Sequence, residues 1–278
     1  MNIDMEFMDC NLSYGPDTMK GALPGCPDIG ALRAELSCAG VAGGLVYYAM
    51  EEPILGNEII ARDINRDAAR DISRDAARDI SRDDSRGAKG ASLPNRLYGC
   101  WSILPSCTGE IVPPGDLSQA MKKSNIAALA LNPQANRYMP CAMAIGDYLA
   151  MAQERSIPVL MNTGRGLTLE QADALMRDFR DLTVILTFAN CWPSDRQLRP
   201  FLDSYPNLYL DMSYIQTASW LPDITLRYGA ERVLFGSAFP ECYIGAHMMV
   251  IRHAELSDAD KALIAGGNLK RLLKGARV

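Results

Sequence analysis

Only two histidines, His247 and His253, occur in the 278 residues. A zinc or iron centre built on several imidazoles therefore cannot be assembled from one chain. None of the eight cysteines (positions 10, 26, 38, 100, 107, 141, 191 and 242) forms a C-x-x-C pair. In a chain of this size, that scatter predicts free thiols in a reducing cytoplasm, not a disulfide framework. No run reaches the ~18 apolar residues that span a bilayer. The opening MNIDMEFMDC has neither the basic block nor the apolar block of a secretory leader. Positive charge is not in surplus either. The formal net charge is −5, which removes any general drive toward nucleic acid or acidic membranes.

What is present is a large apolar fraction, 48% of residues, enough for one domain over 1–278 with a full core. Apolar β-like runs alternate with helical ones. The strand candidates are Met5–Asp9, Leu45–Tyr48, Leu97–Leu104, Ile126–Leu131, Pro158–Met161, Thr183–Thr187, Asn207–Asp211 and Val233–Phe235. Helices are expected at Ala31–Cys38, Leu117–Lys123, Cys141–Glu154, after Thr168, at Gln197–Ser204, up to Tyr228, after Ser257 and at Asn268–Leu273. Thr168 with Gln171 three residues on has the form of a capping box. Eight such units fit an α/β fold, either a (β/α)8 barrel or an open doubly wound sheet.

One stretch breaks the alternation. From Arg62 to Arg86 the chain reads RDIN RDAA RDIS RDAA RDIS RDDS R, with seven Arg and seven Asp. Six of the seven Asp precede an Arg by three residues, a helical neighbour pair worth ~0.2–0.5 kcal/mol. The apolar positions recur every fourth residue, so their stripe drifts ~40° at each step around a helix. The pattern predicts a salt-bridged, mostly solvated helix over about 57–86, after the second strand. As a function it suggests a passive expansion or a docking arm for a second copy or a paralogous subunit. The matched aspartates argue against RNA.

Four short runs carry a resemblance: Tyr205–Ser213 (YPNLYLDMS), Arg232–Pro240 (RVLFGSAFP), Gly266–Leu273 (GGNLKRLL) and Pro94–Leu97 (PNRL). In that combination the chain resembles the amidohydrolase-related proteins, a metal-dependent family of TIM-barrel hydrolases. The resemblance covers nearly the whole chain outside the repeat, and it favours the (β/α)8 barrel. It also implies where metal ligands should stand. The family's first strand ends in D-x-H-x-H before Gly-Pro, whereas here Asn11 and Ser13 occupy the two histidine places between Asp9 and Gly15-Pro16. The fifth strand's histidine is replaced by Asn162, and the sixth strand's falls at Phe188. The aspartate after the eighth strand is Ala238, and the fourth strand ends in Asn132-Pro133.

Asn and Ser are weak neutral donors, and Phe and Ala are not donors, so the resemblance is to a family member without the family's metal site. No metal or cofactor is expected. The favoured reading is a non-catalytic pseudoenzyme that binds a small polar or anionic ligand, or a partner protein. The alternatives are a metal-independent hydrolase or lyase, and a structural or regulatory subunit that docks through the Arg/Asp helix. Candidate ligand-binding residues at strand ends are Asn11, Asn132, Asn162, Arg165, Asn190, Ser237 and Glu241, with Arg165 first for a carboxylate or phosphate. A thiol cluster of Cys10, Cys191 and Cys242, or an acid–base set of Asp9, Asp211 and Glu241, is a lesser possibility. His247 and His253 are expected on the surface.

Overall fold

A computed structural model describes residues 5–20, 25–80, 96–189, 195–215 and 219–278, with backbone alone for 19–20 and 67–80. The strands are β1 (Phe7–Tyr14), β2 (Val41–Tyr48), β3 (Arg96–Ser102), β4 (Ile126–Leu131), β5 (Val159–Asn162), β6 (Val184–Thr187), β7 (Leu208–Asp211) and β8 (Val233–Leu234). The helices are α1 (Ile29–Ala39), α2 (Pro53–Ile80), α3 (Pro114–Lys123), α4 (Ala142–Glu154), α5 (Leu169–Asp178), α6 (Asp195–Ser204), α7 (Trp220–Tyr228), α8 (Ile244–His253), α9 (Asp258–Ala262) and α10 (Asn268–Gly275).

All eight strands are parallel and pair in chain order. The ring closes where Cys10 and Ser13 donate their backbone N–H groups to the carbonyls of Phe235 and Phe239, both at 2.9 Å. This is a TIM barrel. Neighbouring residues of one strand fall into two separate apolar clusters, as a two-residue period requires. Leu45, Leu160, Ile185 and Leu234 belong to the inner set, with Cys10, Cys100 and Ala128. Val46, Met161, Leu186 and Val233 join the larger set under the helices. Each large aliphatic side chain buried this way contributes ~1.5–3 kcal/mol.

Most elements fall within two or three residues of their expected places. The larger differences have local causes. β2 begins at Val41 and runs through Gly43 and Gly44, because both neighbouring strands press on it there. A Cβ at Gly43 would lie 2.0 Å from the Arg96 carbonyl oxygen, and one at Gly44 would lie 2.1 Å from that of Asp9. β1 runs on to Tyr14, past polar residues that look like loop. α2 starts at Pro53, not near residue 57, because the Glu52 carboxylate accepts from the Ile54 and Leu55 N–H groups. The first repeat copy is docked on one side: Ile64 is buried and Asp63 accepts from the Tyr14 hydroxyl at 2.8 Å, while Arg62 stays exposed. The repeat beyond residue 80 lies outside the described residues. The Thr168–Gln171 capping box and the Ser257 cap are both present. No helix among the described residues is long and apolar enough to cross a membrane.

Candidate functional site

In a TIM barrel, sites are built at the C-terminal ends of the strands. On the β1, β7 and β8 side, that end is a closed network of polar groups. Asp9 accepts from Asn11 N–H at 2.9 Å, and both its oxygens lie 3.1 Å from Ser237 N–H. Asp211 accepts from Asn11 Nδ2 at 2.8 Å, Ser213 N–H at 2.8 Å and Ser213 Oγ at 2.6 Å. Ser237 Oγ accepts from Phe239 N–H. Gly236 is required here, because a Cβ would lie 2.0 Å from Asp211 Oδ1. Asp9, Asp211, Ser213 and Ser237 are fully buried, and Asn11 almost so. Burial pushes the Asp9 carboxyl up to about 7, against the bonds from Ser237 and Asn11, and the nearby Asp211 charge adds to the rise. Asp211 is also raised by burial, opposed by its bonds from Ser213 and Asn11.

His247 backs this network. Its Nε2 lies against the Ser213 carbonyl, and the side chain is 6% exposed, so the expected surface placement is wrong. The reason is a partner 34 residues away in sequence. His253 is exposed. Cys10 is buried among apolar side chains, and burial pushes its thiol well up, so it carries no thiolate.

The β5 and β6 side is different. Asn162 pairs with Thr187 in register, two residues beyond the inner-facing pair Leu160 and Ile185. Both side chains therefore face into the barrel end. Asn162 Oδ1 and Thr187 Oγ1 are buried and have no hydrogen-bond partner among the described residues. Arg165, in the turn after β5, reaches Tyr47 of β2: Nη2 is 3.1 Å from the Tyr47 hydroxyl, and the guanidinium carbon lies 4.5 Å from the ring centroid. Among the described residues, no carboxylate pairs with Arg165. Asn132 donates to Ser102 Oγ at 3.0 Å. Phe188 packs on Tyr214 with ring centroids 4.7 Å apart, and the Tyr214 hydroxyl donates to Glu241 at 2.6 Å. Burial, and then Glu241, raise the Tyr214 phenol, so it stays a donor.

The sequence-predicted set thus divides. Asn11 and Ser237 belong to the closed network. Asn162 and Arg165 stand at the barrel end, where one has an unused polar atom and the other an unpaired charge. Asn132 is tied to Ser102, and Glu241 is exposed beside Tyr214. Asn190 and Cys191 lie outside the described residues. Tyr47, Thr187 and Tyr214 were missed. Strand alternation from Leu45 to Tyr47 could have found the first, and the β-branched end of TVILT the second. Among the described residues, no group of three or more His, Cys, Asp or Glu side chains is placed to hold a metal ion.

The fold agrees with comparisons to known proteins. The profile of the family described as Amidohydrolase matches residues 116–275, so the chain belongs to that family. Several solved structures share its fold. One is an uncharacterised TIM-barrel protein from Bordetella bronchiseptica, 19% identical over 98% of this chain and 99% of that one, with a TM-score of 0.68. Another is 5-carboxyvanillate decarboxylase from Sphingomonas paucimobilis, 12% identical over 98% and 99%, TM-score 0.65. A third is 4-oxalomesaconate hydratase from Rhodopseudomonas palustris, 13% identical over 97% and 96%, TM-score 0.60. No curated protein matches.

Proposed function

We propose that this chain is a non-catalytic amidohydrolase-family barrel that binds a small hydroxylated carboxylate at its C-terminal mouth. The family's metal chemistry calls for several imidazole, thiolate or carboxylate donors. At the corresponding strand ends stand Asn11, Ser13, Asn162, Phe188 and Ala238. Asn11 is spent on Asp211, the Phe188 ring is spent on Tyr214, and Ala238 has no donor. That donor set does not fit a divalent ion.

The backbone supports the same reading. Phe188 and Ala238 both sit in the left-handed region, at φ 60° and φ 54°. Histidine and aspartate, the residues that the family resemblance implies at these two positions, enter that region more readily than phenylalanine or alanine. A frame suited to the old ligands thus persists under side chains that do not coordinate.

The observation that carries the ligand is the pair of orphaned oxygens, Asn162 Oδ1 and Thr187 Oγ1, at a barrel end with an unpaired Arg165. An unsatisfied buried polar atom costs ~1–3 kcal/mol, so such atoms call for a partner. Asn162 Oδ1 accepts from a ligand hydroxyl, Thr187 can donate to a carboxylate, and the guanidinium supplies charge. The dihydroxybenzoate and carboxyvanillate decarboxylases among the structural relatives are named for substrates of this class.

A metal-independent enzyme would use Asp9 as its acid–base group, since raised carboxyls mark many active sites. Asp9 is wholly enclosed, and both of its oxygens are taken by backbone N–H groups, so it reaches no reacting atom. Elemental analysis of the purified protein tests the first half of the proposal: no stoichiometric zinc, manganese or iron is expected, and one full equivalent would overturn it. Calorimetry with 2,6-dihydroxybenzoate tests the second. Binding should weaken at least tenfold in Arg165→Ala, and unchanged binding would remove the site.

A further inference from the structure

A second site lies outside the barrel ring. The start of α2, the end of β3 and the chain from Glu110 to Leu117 enclose a cavity of about 410 Å³. That volume is in the ~300–1,000 Å³ range of small-molecule sites. Ile54, Ala61, Trp101, Ile103, Val112 and Leu117 make its walls apolar. The polar groups on its floor are already used by one another. Asn57 Nδ2 donates to the Ser102 carbonyl at 2.8 Å, and Ser102 N–H donates to Asn57 Oδ1 at 2.9 Å. Trp101 Nε1 donates to the Asn57 carbonyl at 3.0 Å. Asn132 Nδ2 donates to Ser102 Oγ.

What the cavity still has to offer a ligand is an apolar surface and two carboxylates, Glu58 on α2 and Glu110 in the following loop. Both are exposed at its edge. Among the described residues, no basic side chain pairs with either, and none lines the cavity. We infer that this cavity binds a small organic ammonium ion, with its apolar body against Trp101 and the aliphatic walls and its ammonium group between Glu58 and Glu110. The charge pattern selects the class. An anionic ligand would meet two negative groups, and a neutral one would leave both carboxylates without a counter-charge. A cation with an apolar body uses both the walls and the two carboxylates.

The probes are 3-phenylpropylammonium, 3-phenylpropan-1-ol and 3-phenylpropionate, titrated calorimetrically into the full chain. The ammonium ion should bind at least tenfold more tightly than the alcohol, and the propionate should give no heat. Glu58→Gln with Glu110→Gln, both at exposed positions, should cost the ammonium ion at least tenfold and leave the alcohol unchanged. Ala61→Phe, which fills the cavity, should abolish both, with circular dichroism confirming the fold. Absent ammonium binding, equal binding of alcohol and ammonium, or ammonium binding that survives Ala61→Phe would each overturn the assignment. Loss of the ammonium heat in Arg165→Ala would move the ligand to the barrel mouth and would also overturn it.

Discussion

The two sides of the barrel mouth are made of similar residues in opposite states. Around β1, β7 and β8, Asp9, Asn11, Asp211, Ser213 and Ser237 satisfy one another completely. Around β5 and β6, Asn162 and Thr187 leave two buried oxygens without partners among the described residues, at the end of the barrel where Arg165 meets no described carboxylate. Polar residues at strand ends are therefore not one kind of thing. Those that satisfy each other hold the fold, and those left open carry the binding site proposed above.

The largest effect should come from breaking the closed side. Asp211→Ala strands both Ser213 donors in a fully buried place and leaves Asn11 Nδ2 only its 3.4 Å bond to Ser213 Oγ. A loss of about 3 kcal/mol or more in unfolding free energy is expected, measured by urea denaturation. A loss below ~1 kcal/mol would show that the network is not what closes the ring.

The next effect is a pH dependence. Asp9 titrates at about 7 in the folded chain, against an ordinary carboxyl value near 4 when unfolded. Between those values the folded chain holds a proton that the unfolded chain has released. This group's contribution is complete below pH ~4 and is lost as the pH rises through ~7. The slope from one such group reaches about 1.4 kcal/mol per pH unit at most. Asp9→Asn should flatten the stability curve between pH 4 and 7, and a curve identical to that of the parent would contradict the burial argument.

The open side should respond with the opposite sign. Thr187→Val keeps the shape and removes an orphaned hydroxyl, so stability should rise, by up to ~1 kcal/mol. The same change should weaken binding of 2,6-dihydroxybenzoate. Stability and affinity moving in opposite directions is the signature of a residue kept for a ligand. A destabilisation of 1 kcal/mol or more in thermal melts would mean that Thr187 has a structural partner.

Sequence reasoning reached the frame because its signals are local. IAALAL closed by Asn132-Pro133 is a buried strand and its stop, and Thr168 with Gln171 is a helix start within four residues. It lost the end of β1, because Asn11 and Ser13 look like loop until Asp211, 200 positions away, is seen to bind Asn11. His247 failed for the same reason. At the mouth, Asn162 and Arg165 were legible from their places after a strand. Tyr47 was not, since its value lies in an Arg165 contact made 118 residues away in sequence. Spacing within one strand says which face a residue takes, but pairing across the barrel says whether its polar atom is used.

The smallest expected effect sharpens the comparison by taking chemistry out of it. Ala238 is 3% exposed at φ 54°, on the closed side, and its side chain makes no polar bond that a substitution could break. A left-handed residue with a Cβ costs ~1–2 kcal/mol, while glycine returns ~0.4–1 kcal/mol of that as unfolded-state entropy. Ala238→Gly should therefore stabilise by about 0.5 kcal/mol, a rise of ~1–2 °C in Tm. Ser156, at φ 55° in the turn before β5, is the reference, since it has the same backbone away from the barrel mouth. Equal gains at both positions mean that the mouth carries ordinary left-handed strain under a side chain unsuited to it. A loss at Ala238 alone would mean that its methyl group packs the closed network.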